Sequence, residues 1–284
     1  MSEIIPLPIA FQGASGAYSD LACRALFADR PTLPCHAFED ALGAVTRGKA
    51  EFAVIPIENS VAGRVADVHH LLPRSALHIV GEYFAPVNHH LLALPGVTLA
   101  EIRIIRSHVH ALGQCRNLIR DLGLMPVIAA DTAGAAAELA ASGDRATAVI
   151  ASKLAGQIYG LHSLRSNIED AAHNTTRFVV LSSRPDIPAA DGRLFVTTLT
   201  FRMRNVPAAL YKALGGFATN GINITKLESY MVSGRFTATE FYADVEAHPA
   251  ERRLQFAMEE LRFFTEEVTI LGTYPAHSLR GNMI

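Results

Sequence analysis

Four polar clusters sit where an apolar run gives way to a turn, and each carries side chains suited to holding an anion or moving a proton. Gln12-Gly13-Ala14-Ser15-Gly16 follows Ile9-Ala10-Phe11. A glycine turn that opens a helix offers free backbone N–H groups to an anion. Two glycines three apart do not make the G-x-G-x-x-G dinucleotide fingerprint, and the plainer reading is a tight turn. Pro56-Ile57-Glu58-Asn59-Ser60 leaves the apolar run Phe52–Ile55 with three adjacent polar side chains; it reads as a site segment or as a helix-capping one. Ser107-His108-Val109-His110 follows Arg103–Arg106, with Ser107 placed as an N-cap and Gln114 two turns along the same helix face. Asn174-Thr175-Thr176-Arg177-Phe178 enters an apolar strand, and period two puts Thr176 and Phe178 on one face and Arg177 on the other. Arg177 is open to two readings, a bidentate contact to an anion or a structural ion pair. The pairs His69-His70 and His108/His110 invite a metal, but the chain has 12 histidines and no acidic or cysteine ligand at helical spacing beside them. No metal is expected.

The elements that must position these clusters are legible in the apolar periodicity. A helix is expected from about Ala17 to Ala28. Buried strands are expected at Phe52–Ile55, Arg103–Arg106, Pro126–Ala129 and Ala148–Ala151, with helices at His108–Asp121, Thr132–Ala141 and Ser152–Tyr159. Alternating βα units imply mostly parallel sheets covered by helices, with ligands at the carboxyl ends of the strands. The stretch Ser182 to Gly192, rich in Pro and Ser, breaks this pattern. Beyond it the order becomes strand Phe195–Phe201, a helix through Leu210, Leu214 and Phe217, and strands at Asn223–Tyr230 and Arg235–Val245 joined through Ser233-Gly234. A helix through Leu254, Met258 and Leu261 and a strand at Val268–Thr273 complete a βαββαβ unit with an internal pseudo-repeat.

At 284 residues the chain suggests about two domains, and with half its residues hydrophobic it has ample core material. Against 27 acidic side chains stand 25 basic ones, so a nucleic-acid partner or polybasic membrane anchor is not expected, and any bound anion must be captured by local geometry. Three cysteines without a C-x-x-C argue against a disulfide framework. The N-terminus lacks a basic region and is broken by Pro6 and Pro8, unlike a signal peptide. The longest stretch free of Asp, Glu, Lys and Arg, Tyr83 to Ala100, is too polar and too broken to span a bilayer. A cytoplasmic protein is expected.

Together the motifs resemble the prephenate dehydratase family in the form that carries a C-terminal ACT regulatory domain. Phe11-Gln12-Gly13-Ala14-Ser15-Gly16-Ala17-Tyr18-Ser19 is similar to F-L-G-P-x-G-[TS]-[YF]-S, and Pro56–Ser60 matches P-I-E-N-[ST]. Ser107-His108 through Gln114-Cys115 resembles S-H-x-Q-A-L-x-Q-C. Asn167-Ile168-Glu169-Asp170 with Asn174–Phe178 resembles N-I-E-D…N-x-T-R-F, and Gly221 to Ser229 resembles the ACT segment G-I-N-[LM]-T-K-[IL]-E-S. Ala14 and Ala17 replace the usual Pro and hydroxyl residue, His110 stands at the first Gln, Ala208 stands where P-G-A-L has Gly, and Tyr230-Met231 replaces Arg-Pro.

The resemblance implies two α/β lobes of the type-II periplasmic-binding-protein kind spanning 5–183 (lobe one about 5–82 with 178–183, lobe two about 83–177). A linker at 184–193 and a ferredoxin-like ACT domain at 194–275 follow. It implies conversion of prephenate to phenylpyruvate, water and carbon dioxide without a cofactor, in a monofunctional chain. Thr176 becomes the donor to the departing hydroxyl, or a relay, and Glu58 the proton source if burial raises its pKa. Asn59, Ser60, Ser107, Gln114 and the turn Gly13, Ser15 and Gly16 supply neutral donors to the two substrate carboxylates, Arg177 a charged one, and Phe178 a dry wall. L-Phenylalanine is implied as a feedback effector held by Ala208, Ala209, Leu210, Asn223, Ile224, Thr225, Glu228 and Ser229, in a homodimer or homotetramer assembled through the ACT domains; Leu210 reads equally as core. Arogenate as the substrate, and a non-catalytic amino-acid-sensing protein, are the competing readings.

Overall fold

The structure, a computed structural model, describes residues 6–231 and 238–282; the turn expected at Ser233-Gly234 lies outside them. The chain divides into two compact units, Met1–Val68 with Tyr83–Phe178, and His69–Glu82 with Val179–Ile284. The division differs from the expected one in that 69–82 and 179–183 group with the second unit. The backbone at Gly272 leaves no room for a Cβ beside Ile79, a close approach that ties the segment around Ile79 to the last strand of that unit.

Strands β1 (Ile9–Gln12), β2 (Thr32–Cys35), β3 (Phe52–Asn59) and β4 (Gly63–Arg64) of the first unit share one sheet with β5 (His78–Pro86) and β11 (Thr175–Ser182), the two strands along which the chain passes from one unit to the other, in the order β2-β1-β3-β11-β5 with β4 hairpinned onto β3. A second sheet holds β6 (His90–Ala93), β7 (Ile104–Ser107), β8 (Met125–Ile128), β9 (Thr147–Ala151) and β10 (His162–Ser166), in the order β10-β6-β9-β7-β8. The two orders are mirror versions of one plan. A parallel trio (β2-β1-β3, and β8-β7-β9) is followed by a strand from elsewhere in the chain, then a last edge strand. This is the arrangement of periplasmic-binding-protein-like lobes. Fully apolar stretches such as Ala53-Val54-Ile55 and Ala148-Val149-Ile150, each 0% exposed, are what a strand covered on both faces requires.

Helices α1 (Tyr18–Leu26) and α2 (Phe38–Thr46) belong with the first sheet, α3 (Ala66–Leu71) straddles the division between the units, and α4 (Val109–Gln114), α5 (Arg116–Asp121), α6 (Thr132–Ser142) and α7 (Lys153–Tyr159) belong with the second sheet. The single helix expected from His108 to Asp121 is thus two. The backbone leaves helical geometry at Cys115, and the Asp170 carboxylate, arriving from far along the chain, accepts from the amides of Arg116 and Asn117 and caps a second helix. Strand β3 also runs four residues further than Ile55, so Glu58 and Asn59 lie within it rather than beyond its end.

The second unit contains β12 (Phe195–Met203), α8 (Ala209–Thr219), β13 (Ile224–Met231), β14 (Ala238–Val245), α9 (Arg252–Phe264) and β15 (Thr265–Pro275), in an antiparallel sheet of order β13-β14-β12-β15. This βαββαβ order leaves β13 at an edge. Residues 183–194 carry neither helix nor strand. Ala208 precedes α8 at φ +60°, a left-handed conformation that a Cβ disfavours by about 1–2 kcal/mol. Leu210 packs on the core of this unit. Among the described residues no helix is long and apolar enough to cross a membrane.

Candidate active site

A cavity of about 550 Å³ opens where loops of both sheets of the first unit meet, and Gly13, Tyr18, Asn59, His89, Gln114, Thr176 and Phe178 stand on its wall. Strand alternation in β11 decides which side chains reach it. Thr176 and Phe178 face the cavity, while Arg177, 2% exposed, points the other way and donates to Glu58 Oε1 at 2.9 Å. Arg177 is therefore the ion-pair partner that one of its two readings foresaw. Glu58 is held in that pair and neither residue lines the cavity, so the placement of Glu58 as a proton source and of Arg177 as a carboxylate clamp is corrected. The arginine on the wall is Arg64, brought there by the β3–β4 hairpin in which Glu58 lies opposite Arg64 and Asn59 opposite Gly63.

Asn59 is oriented by its own turn. The amides of Val61 and Ala62 donate to its Oδ1 at 2.9 and 2.8 Å, and its Nδ2 donates to Asn174 Oδ1 at 2.8 Å and to Thr176 Oγ1 at 3.0 Å. Because Thr176 Oγ1 accepts from Asn59, the threonine keeps its own proton for another acceptor. Gln114, at the end of α4, reaches Asn59 Oδ1 with Nε2 at 3.4 Å and pairs with His89 Nε2 through Oε1 at 2.9 Å. His89 Nδ1 in turn meets the Tyr18 hydroxyl at 2.8 Å, and the His89 amide donates to Glu169 Oε2 at 2.8 Å. Burial pushes the Tyr18 phenol well above its ordinary value, helped by the negative field of Glu169, and burial pulls the His89 imidazole down against the opposing pull of Gln114. Five side chains drawn from both sheets therefore form one chain of neutral hydrogen bonds.

Four expected contacts lie elsewhere. Ser107 is not an N-cap: it ends β7, is fully buried, and its hydroxyl donates to Ile150 O at 2.6 Å, while His108 caps α4 by accepting from the His110 amide. Ser60 accepts from the Thr175 amide at 2.9 Å and donates to His173 O at 2.8 Å, clamping the entry to β11. Gly16 approaches α7 so closely that a Cβ would sit 2.6 Å from Ala155 Cα. Its carbonyl accepts from Ser152 at 2.5 Å and its amide donates to the buried Asp20 carboxylate at 2.8 Å. Gly13 N–H is likewise engaged on Cys35 O and Ala17 N–H on Ala14 O, and of Gly13, Ser15 and Gly16 only Gly13 borders the cavity.

Sequence reasoning missed His89 and Arg64, and left Glu169 and Asp170 without roles. The pair Glu169-Asp170 was quoted as a motif, and its signal was two adjacent carboxylates after a strand. One carboxylate pins the His89 backbone and the other restarts the helix beyond Gln114. In the second unit, Asn223 Nδ2 donates to Glu246 at 3.0 Å, Thr225 Oγ1 accepts from Arg280 at 2.9 Å, and Glu228 pairs with Lys226 at 3.2 Å.

Comparison with known proteins follows from this geometry. Residues 9–186 match the family model described as prephenate dehydratase. The chain is 53% identical over 272 residues to a bifunctional N-acyl-homoserine lactone acylase/prephenate dehydratase of Komagataeibacter europaeus, covering 96% of this chain and 97% of that protein. It is 41% identical to the chloroplastic arogenate dehydratase/prephenate dehydratase 1 of Arabidopsis thaliana, covering 96% and 73%. The crystal structure of prephenate dehydratase from Arthrobacter aurescens in complex with L-Phe superposes with a TM-score of 0.87 at 29% identity, covering 95% of this chain and 90% of that one.

Proposed function

The chain belongs to the prephenate dehydratase family, a family of lyases, and from that premise we propose that it catalyses the decarboxylating dehydration of prephenate to phenylpyruvate. Loss of the ring carboxylate as carbon dioxide breaks its bond to C1 and sends the electron pair into the ring. Aromatisation expels the C4 oxygen, which leaves as hydroxide and takes a proton to become water. The protein's task is to hold two carboxylates and to stabilise negative charge growing on the departing oxygen.

One observation carries this reading: Asn59 donates to Thr176 Oγ1 while two backbone amides lock Asn59 the right way round. Thr176 thereby directs its O–H outward from a neutral scaffold, as a donor to the C4 oxygen. Phe178 beside it keeps the wall apolar and strengthens that hydrogen bond by lowering the local dielectric. Arg64 supplies a positive charge for the carboxylates, with His108 and His110 beside it on the wall as polar partners. A spectrophotometric assay of phenylpyruvate formation tests it. Thr176→Ala lowers kcat by about 10²–10⁴-fold with the melting temperature unchanged, and Thr176→Ser recovers most of the rate. Wild-type turnover in Thr176→Ala defeats the assignment. Rates on prephenate and arogenate in parallel decide between the two substrates.

The βαββαβ unit is an ACT domain in this reading, with L-phenylalanine as inhibitor and β13 as the edge through which copies pair into a dimer or tetramer. The relative solved with L-Phe supports it, as does the exposed edge position of β13. Asn223 precedes that strand and Ile224 and Thr225 begin it, with Ala208, Ala209, Glu228 and Ser229 completing the effector site. Activity and melting temperature that ignore added phenylalanine defeat this part. Three free cysteines accord with a reducing, cytoplasmic setting. A second reading adds amide hydrolysis of N-acyl-homoserine lactones, after the 53% identical relative that carries both names. Apolar wall residues such as Phe38, Val65 and Val87 suit an acyl chain, and release of free homoserine lactone is the direct assay.

A further inference from the structure

Two backbone amides determine where the protons sit along the chain from Thr176 to His89. Val61 and Ala62 N–H both donate to Asn59 Oδ1, which identifies that atom as the oxygen. The Gln114 atom that approaches it at 3.4 Å must then be the amide nitrogen, so Gln114 Oε1 is the end turned to His89 Nε2. A carboxamide oxygen only accepts, so Nε2 carries a hydrogen. In the neutral imidazole Nδ1 is then a bare acceptor beside the Tyr18 hydroxyl, 2.8 Å away, whose one proton it shares with Asn88 O at 2.9 Å. The opposite tautomer would set a bare Nε2 against a carbonyl oxygen. Turning the Gln114 amide to relieve that clash would set its oxygen against Asn59 Oδ1.

Resting on the dehydratase reading above, we propose that His89 is a positioning residue of the reaction: as the Nε2–H tautomer, it holds the Gln114 carboxamide with its NH₂ toward Asn59 and the cavity. His89 is suited to the task. It is 2% exposed, its backbone is pinned by Glu169, and its ring stands edge-on to Tyr18 at 5.4 Å. It also sits immediately before β6, an interior strand of its sheet, so the ring has little freedom to move. Tyr18 and Asn59 come from one sheet, His89 and Gln114 from the other, so a misplaced proton on His89 misdirects donors on both sides of the cavity.

The test has an arm independent of turnover. Long-range ¹H–¹⁵N spectra of the full chain without substrate, with the His89 signals assigned by their loss in His89→Gln, are expected to report a protonated Nε2 and a bare Nδ1. In Tyr18→Phe the Nε2–H tautomer persists, because Gln114 Oε1 still faces Nε2. In the prephenate assay His89→Ala lowers kcat about 10²-fold with KM little changed, the scale of an ångström-level misplacement. His89→Gln, which returns an N–H near the Nε2 position, recovers part of the loss. A proton on Nδ1 in the wild type, or wild-type kcat in His89→Ala, overturns the proposal. If His89→Ala does not fold, the wild-type spectrum and the His89→Gln rate still decide. Failure of the wild type to turn over prephenate defeats the dehydratase reading alone, and the tautomer remains measurable.

Discussion

Along the cavity wall, Tyr18, His89, Gln114, Asn59 and Thr176 join through neutral groups, whereas in the second unit Glu82, Asp244 and Arg280 meet as full charges. Arg280 grips Glu82 with two nitrogens, Nε at 2.7 Å and Nη2 at 2.9 Å, and lies 3.6 Å from Asp244; both carboxylate side chains are 0% exposed. Both constructions are buried and both are satisfied, but they do different work. A guanidinium between carboxylates clamps without specifying direction, since every contact is donor to acceptor in one sense. A chain of amides, an imidazole and hydroxyls has a direction, because each member is oriented by the one before it. The first unit uses the second kind along the stretch of cavity wall that ends at Thr176.

The comparison can be broken in order of expected effect. Arg280→Ala removes the bidentate partner of a buried carboxylate and is expected to destabilise the second unit by about 3–5 kcal/mol, read as a lowered denaturation midpoint. A loss below about 1 kcal/mol would remove the clamp from the argument. Ser107→Ala deletes the donor to Ile150 O and is expected to cost about 1 kcal/mol with kcat unchanged. A large fall in kcat at unchanged stability would restore Ser107 to the site.

The smallest effect is the one set by proton linkage. His89 has its pKa lowered by burial, with Tyr18 from α1, Glu169 after β10, His90 next in the chain and Gln114 of α4 facing it. Below its ordinary value of about 6.5 the unfolded chain binds that proton more readily than the folded one. The stability contributed by neutral His89 is thus complete above that pH and declines as pH falls toward the lowered folded value. His90 and His108 are pulled down in the same sense, so the measurement is the difference between wild type and His89→Gln. Identical pH–stability curves would mean that the imidazole is not held neutral.

Much of the fold was legible because it rests on local pattern. Apolar runs bounded by turns marked β3, β7, β8, β9 and β11 but not β2, β5, β6 or β10, and +4, +3 spacing marked α8 and α9. Period two alone separated Thr176 and Phe178 from Arg177, and the structure places them on opposite faces as that alternation requires. Cys115 was hidden because the carboxylate that caps α5 stands at Asp170, beyond any local window.

The sequence by itself determined which residues have donors and acceptors to offer and which strand face they occupy, since side-chain chemistry and the pleat are properties of a few consecutive residues. Only the tertiary structure decided which of those groups are already engaged. Ser107 meets a carbonyl 43 residues away and Gly16 a serine 136 residues away, whereas Asn59 meets a threonine 117 residues away and leaves that hydroxyl's proton toward the cavity. A hydroxyl or amide is the same group in either case. Whether it serves the fold or the substrate depends on a partner that chain folding alone brings within 3 Å or so.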